Sequence, residues 1–578
     1  MSGKIVKVSD FFVVAEGLSD ACVSDIVRIG AEGLFGEILT ITGDSAFIQV
    51  YDETNGLATG AEVQTTGAPL CAELGPGLLE SAYDGVQRPL SGKSGTFALD
   101  RKREWHFAPS LPKGTMVTGG RVIGTVEENS AVSHKIMVPP GIDGIIESIE
   151  RGAFTVEETV CRVKTANGTK DISLMQKWPV RVSRPHNRRL MPAAPLCTGQ
   201  RAVDTLAPLA KGGAAAIAGP FGSGKTALLH QLARWADVDI VVYIGCGERG
   251  NEMIELINAL SAAKDPRNGE PFTKRTVFIT STADMPVPAR EAAIYTGSAI
   301  AEYFRDMGYD VALIADSTSR WAEALREISG KMDELPCEEG YPAYLASRIA
   351  QFYSRAGVFE LSTGEERLRG SLSVIGAVSP PSGDVSEPVS QATARLVKSF
   401  LELDGSLACA RHFPAVNRFT SSSSYADALE PWFEAVYGPN FMKNRNRMLS
   451  ILQAEVPLLE TVCLLGYDTL SNEERLTLET AKMFREDFLQ QDFFADGDSY
   501  SPYEKQYALL DLILKYNDYC ADALAKGADI QALFDVAARE TLRRAKTALS
   551  PEIAKEYEAL DNAMTQQISE LVEGGGEL

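Results

Sequence analysis

The sequence predicts a multidomain α/β protein, with a central parallel-sheet domain, β-rich modules before it and a helical domain after it. Three observations carry that reading. Short β-branched runs broken by Gly and Asp fill the first 183 residues, apolar strands alternate with helical stretches from residue 184, and glycine becomes sparse beyond about residue 440.

In residues 1–70, runs such as Phe11-Phe12-Val13-Val14 and Ala46-Phe47-Ile48-Gln49-Val50 are separated by turn residues, the pattern of an N-terminal β-barrel. Residues 71–110 read as a connecting segment. In residues 111–183 the style returns, punctuated by Gly114, Gly119, Gly120, Gly124, Gly141, Gly144, Gly152 and Gly168, and predicts a second, inserted β-rich module. Residues 184–438 carry the nearly continuous apolar runs Val238 to Ile244, Thr276 to Thr280 and Val311 to Ala315. Each is followed by a helical stretch, as in a parallel sheet covered on both faces. Residues 439–578 show helical spacing, as at Leu509, Leu512, Leu514 and Tyr516, and end in a flexible tail at Gly574-Gly575-Gly576. The serine run Ser421 to Ser424 reads as a loop.

Composition narrows the function. The chain has 578 residues and a formal net charge of −22, with a pI near 4.9, so its general field repels nucleic-acid backbones and anionic lipid. Its nine cysteines contain no CxxC pair, which gives neither a zinc site nor a disulfide framework and points to a reducing compartment. No apolar run approaches the ~20 residues of a membrane helix, so any membrane role is expected to come through partners.

Gly219-Pro220-Phe221-Gly222-Ser223-Gly224-Lys225-Thr226 fits G-x-x-x-x-G-K-[ST], between an apolar segment ending at Ile217-Ala218 and the helical Ala227 to Leu232. Glycines there let successive backbone N–H groups turn toward phosphate oxygens, and the following helix offers its positive end to the same anion. Lys225 is then expected on the β and γ phosphates of ATP or ADP, with the Thr226 hydroxyl on Mg2+. Asp316 closes the apolar run Val311 to Ala315 and is the natural second magnesium ligand; taken alone, such an Asp is more often a turn or cap. Glu248, in Gly245-Cys246-Gly247-Glu248-Arg249-Gly250-Asn251-Glu252, follows another strand, where a carboxylate either polarises the attacking water or merely complements a helix N-terminus.

These motifs together resemble the catalytic A subunit of V-type and A-type rotary ATPases. The likeness runs through Glu73-Leu74-Gly75-Pro76-Gly77, Tyr83 to Pro89, Ser317 to Glu327, Glu339-Gly340-Tyr341-Pro342 and Arg411-His412-Phe413-Pro414-Ala415. It implies a P-loop (RecA-like) domain, a family-specific bulge insertion at the second β module, and a hetero-hexamer of three such chains alternating with three non-catalytic B subunits. Central and peripheral stalk subunits would couple ATP hydrolysis or synthesis to proton or sodium movement, with this chain on the cytoplasmic face of the membrane. It further implies Glu248 as the catalytic glutamate, Arg249 and Arg320 near the γ phosphate, and Phe413 on the adenine, with Gln491 and Phe493 closing the same pocket. Two departures are Ser382, in place of a family glycine, and Ser223, where eukaryotic vacuolar relatives carry cysteine; the latter favours a bacterial or archaeal source. Rival readings are a nucleotide-binding but non-catalytic ring subunit, a nucleic-acid translocating hexamer disfavoured by the charge, and a protein-export ATPase disfavoured by the insertion.

Overall fold

The computed structural model describes residues 2–90, 97–265, 267–361, 368–495, 497–548 and 553–574. The side chain of Ser382 and the expected glycine tail beyond Gly574 lie outside the described residues. The chain divides into two compact units. One comprises Met1–Met191, Lys211–Ala216 and Val238–Val397, and the other Pro192–Ala210, Ile217–Asp237 and Lys398–Leu578.

The first unit opens with a closed barrel of six strands between Ser2 and Pro69. Strand period explains its core: in Phe12–Glu16 the side chains of Val13 and Ala15 turn inward, and they meet Val27, Ile29, Ile38, Ile48 and Val63. The inserted module is two four-stranded antiparallel sheets built from strands between Trp105 and Ser173. Glu128 anchors it: the carboxylate accepts from the backbone N–H groups of Gly77 and Leu79 and bonds His134, whose other ring nitrogen meets the Tyr303 hydroxyl at 2.9 Å.

Residues 71–110 do more than connect. Cys71–Leu74 pairs with Gln176–Pro179, Ala82–Tyr83 runs parallel to Thr276–Thr282, and Trp105–Pro109 is a strand of the inserted module. Strands this short leave no periodic signal, so their pairing is set by partners distant in sequence.

The parallel sheet of the first unit runs Arg369–Val378, Asp310–Asp316, Ile240–Glu248, Thr276–Thr282 and Ala82–Tyr83. Its middle strands are buried along almost their whole length, which is why they read as continuous apolar runs rather than alternating ones. The helix Val287–Asp306 packs against them and is itself buried nearly all round.

The second unit holds the phosphate-loop segment, the strand Ser399–Glu402 and a helical bundle. Ser422–Ser423, inside the serine run, pairs with Ser399 and Phe400 as a short edge strand rather than standing as free loop. Phe433 and Phe441 stack at 4.3 Å, with Tyr503 packed edge-on, at the start of the bundle. Helix Asn440–Leu465 comes closer to a membrane-crossing length than the sequence reading allowed, with a window of mean hydropathy 1.6. Within that helix Glu455 is buried and ion-paired to Arg418 and Arg485, each at 2.9 Å, a contact of a packed globular bundle.

Candidate active site

In the first unit's sheet the chain passes from Ile240–Glu248 to Thr276–Thr282 on one side, then crosses back to Asp310–Asp316 on the other. That reversal is a topological switch point, and open α/β sheets bind ligands at the carboxyl ends of the strands there. Glu248 and Asp316 are the last residues of the two strands flanking it, with Asp316 opposite Gly245 in the register.

Gly247 aims Glu248. The ladder shifts register between Cys246 and Glu248, and Gly247 has φ +68°, which a side chain resists. A Cβ added there would also stand 2.9 Å from Cβ of Arg320, so the arginine stem lies against the bulge. Arg320 is half-exposed and its guanidinium donates to Glu323 at 2.9 and 3.2 Å. That bond to Glu323 holds Arg320 even more firmly protonated than usual. Its helix, Thr318–Lys331, is pinned to the end of Arg369–Val378: Thr318 donates to the Ala377 carbonyl at 2.9 Å, and the Ser379 N–H donates to Ser319 at 2.8 Å.

Electrostatics single out Glu248. Partial burial, followed by the negative charges of Asp316 and Glu252, pushes its carboxyl from 4.5 up to about 7, against the opposing pull of Arg320. Asp316 is only 2% exposed, and the hydroxyl of fully buried Tyr243 donates to it at 3.3 Å. Burial, then the Asp316 charge, holds that phenol well above its ordinary range. Arg249 is exposed and immediately precedes the helix Gly250–Ala262, with no side-chain bond to the helix end.

The second unit holds the glycine loop. Gly222 and Gly224 take φ +81° and +88°, and the helix Lys225–Trp235 begins directly after them. A Cβ on Gly219 would sit 2.8 Å from Leu403. Lys225 donates to the carbonyls of Gly219 at 2.7 Å and Pro220 at 2.9 Å, and Ser223 donates to Pro220 at 2.8 Å. Thr226 is half-buried on the first helical turn, while Phe221 is 95% exposed.

Phe413 lies beside this loop: its ring is 3.4 Å from where a Cβ on Gly224 would stand. Gln491 is only 2% exposed. Its side-chain N–H groups donate to the carbonyls of Gly199 and Asp498, and its oxygen accepts from the N–H of Arg201. Its contact with the Phe413 segment runs through the backbone, the Gln491 N–H donating to the Phe413 carbonyl at 2.8 Å. Phe493 is 9% exposed and its neighbour Phe494 93%, so of the two rings Phe494 is the one accessible to a ligand.

The structure therefore gathers Glu248, Asp316 and Arg320 at the carboxyl end of the sheet's middle strands, and the loop, Phe413 and Gln491 in the second unit. Sequence reasoning missed Tyr243 and Glu252, whose hydroxyl and charge act on Asp316 and Glu248. Tyr243 had a signal, a lone hydroxyl in an apolar strand, and Glu252 stands four residues after Glu248 at a helix start. Among the described residues no cluster of three or more His, Cys, Asp or Glu is placed to hold a metal ion. Asp316, 2% exposed at the carboxyl end of its strand, is the kind of hard oxygen donor that magnesium takes, the ion completing its shell with phosphate and water.

Four family models match the chain in order. They are the ATP synthase alpha/beta family β-barrel domain over residues 1–67, the alpha/beta subunit barrel-sandwich domain over 96–181, the alpha/beta family nucleotide-binding domain over 199–423, and the C-terminal domain of V and A type ATP synthase over 430–534. A V-type ATP synthase alpha chain of Clostridium botulinum (strain Langeland) is 53% identical over 586 residues, covering 100% of this chain and 99% of the relative. The chain belongs to the V-type ATP synthase alpha chain family. Other members include that of Acetivibrio thermocellus, 53% identical over 582 residues with 99% of both chains covered, and alpha chain 1 of Clostridium tetani, 50% identical over 586 residues with 100% and 99% covered. The ATPase EscN of the enteropathogenic E. coli type III secretion system shares the fold alone, with a TM-score of 0.64 at 21% identity, over 89% of this chain and 100% of that one.

Proposed function

We infer that this chain is the catalytic subunit of a rotary ATPase, hydrolysing or synthesising ATP in step with ion transport by partner subunits. The observation that carries the reading is Glu248. A carboxyl tuned to about 7 at a switch point is matched to accepting a proton near neutral pH.

In hydrolysis, Glu248 as carboxylate orients a water and takes its proton while the water oxygen bonds to the γ phosphorus. The bond from the γ phosphorus to the bridging oxygen breaks, and ADP carries that oxygen away. Lys225 exchanges the Gly219 and Pro220 carbonyls for β- and γ-phosphate oxygens. Arg249 and Arg320 offset charge spreading over the transferring group, Arg320 turning from Glu323 to do so. Thr226 and Asp316 would hold magnesium, which neutralises charge on the β and γ phosphates. Phe413 and Phe494 supply apolar faces for the adenine.

Family membership supports assembly within an ATP synthase complex. The arrangement we propose is a ring of three such chains alternating with three B subunits, around a central stalk and braced by peripheral ones, on the cytoplasmic side of the membrane. The reading is tested by turnover of the assembled complex carrying Glu248→Gln. The expected result is a rate loss of about a thousandfold or more with Mg-ATP still bound. Unchanged turnover would leave a nucleotide-binding, non-catalytic ring subunit as the better account.

A further inference from the structure

Gln491 is spent. Both of its side-chain N–H groups and its oxygen are engaged, at 2.8 Å to Gly199, 2.7 Å to Asp498 and 2.9 Å from Arg201. With no side-chain N–H left to donate and only 2% of its surface exposed, its side chain has nothing to offer a nucleotide directly.

Its partners are themselves fixed. Arg201 is fully buried, pairs with Asp498 at 2.7 Å, and donates to the carbonyls of Phe488 and Gln490. Gly199 takes φ +70°, and the space where its Cβ would stand is filled by the ring of Tyr500, 2.1 Å away. Only glycine lets that turn close, and its carbonyl then accepts from both Gln491 and the Ser501 N–H. A residue whose side chain is fastened on three sides in this way meets the binding loop through its backbone N–H, which donates to the Phe413 carbonyl at 2.8 Å. The neighbouring His412 is tied to the same segment, its ring nitrogen meeting the Arg485 carbonyl at 2.9 Å.

We propose that Gln491 is a positioning residue which, through this clasp with Gly199, Arg201 and Asp498, sets the ring of Phe413 beside Gly224 and so fixes affinity for the nucleotide base rather than for its phosphates. The inference rests on the reading that Phe413 packs on the base. Buried polar groups with every partner in place hold one geometry, and cutting one bond releases the segment they fix. Phe413 would then lose its set position without losing its side chain.

The test compares binding of ATP and of inorganic tripolyphosphate, which has no base, to the assembled complex carrying Gln491→Ala, Phe413→Ala or both. Each single change is expected to weaken ATP about tenfold and to leave tripolyphosphate within about twofold, and the double change is expected to be no worse than either single one. Additive losses in the double variant, or an equal loss for tripolyphosphate, overturn the proposal. If Phe413→Ala alone leaves ATP binding intact, it is the base-contact reading that falls. Should Gln491→Ala fail to assemble, Gln491→Glu keeps length and acceptor but has at most one proton to donate where Gly199 and Asp498 each accept one. The same comparison then decides.

Discussion

The carboxyl end of the sheet at Glu248 and the clasp at Gln491 are both made of buried or half-buried polar side chains, yet they are finished differently. At Gln491 every polar atom of the side chain has its partner, the condition under which a buried amide is inexpensive and rigid. At the carboxyl end of the sheet two carboxylates, Glu248 and Asp316, crowd one place together with the charge of Glu252, and the first answers by holding its proton up to about pH 7. Satisfied polar groups fix geometry; charges that the fold leaves in conflict are resolved only by what binds or by a proton.

The sharpest way to break that contrast is Asp316→Asn. It keeps shape and the Tyr243 contact but removes a charge 2% exposed at the switch point. Turnover is expected to fall by roughly a hundredfold to a thousandfold, and the magnesium concentration needed for half-maximal rate to rise. Rate measured against magnesium concentration checks this. A loss no larger than that of Gln491→Ala would mean that the two regions are not different in kind.

A second test uses pH. Because kcat/KM reports groups of the free enzyme, its acid limb should lie near 7, the rate falling about tenfold per unit below that, and Glu248→Gln should lack the limb. The stability effect has the opposite sense. A carboxyl raised from 4.5 to about 7 contributes stability below about pH 4.5 that is lost as pH rises through 7. Thermal melts at pH 8 should therefore show Glu248→Gln no less stable than the parent chain. A limb near the ordinary carboxylate value would remove the electrostatic half of the comparison.

How much of this was legible beforehand follows the same division. The loop, Asp316 and Glu248 could be named because their chemistry dictates local sequence: glycines where the backbone must turn at φ +81° and +88°, and carboxylates directly after apolar runs. The barrel was legible from short β-branched runs broken by turn residues, and the parallel sheet from continuous apolar runs each followed by a helical stretch. The clasp was not, because Gln491 finds its partners at residues 199, 201 and 413, and no spacing rule links positions so far apart in the chain. Gln491 was expected in the nucleotide pocket as a side chain, whereas the contact it makes toward Phe413 is through the backbone. The short strands Ala82–Tyr83 and Ser422–Ser423 were hidden for a related reason: two residues carry no period, and pairing alone makes them strands.

The smallest effect on nucleotide binding separates two adjacent aromatic residues that composition cannot tell apart. Phe493 is 9% exposed and Phe494 is 93% exposed, so one ring belongs to the packing of the helical unit and the other is open to a ligand. Truncating a buried Phe removes contacts and leaves a cavity, so Phe493→Ala is expected to cost roughly 3 kcal/mol in thermal unfolding, with ATP affinity changing only as far as the fold loosens. Phe494→Ala removes no packing and should stay within about 0.5 kcal/mol of the parent in stability. If its ring meets the base, ATP binding should weaken a fewfold while tripolyphosphate binding stays constant. The opposite pattern, affinity following Phe493 and stability following Phe494, would place the pocket on the other side of this loop, because a ring already committed to the core cannot also be the one that closes on a ligand.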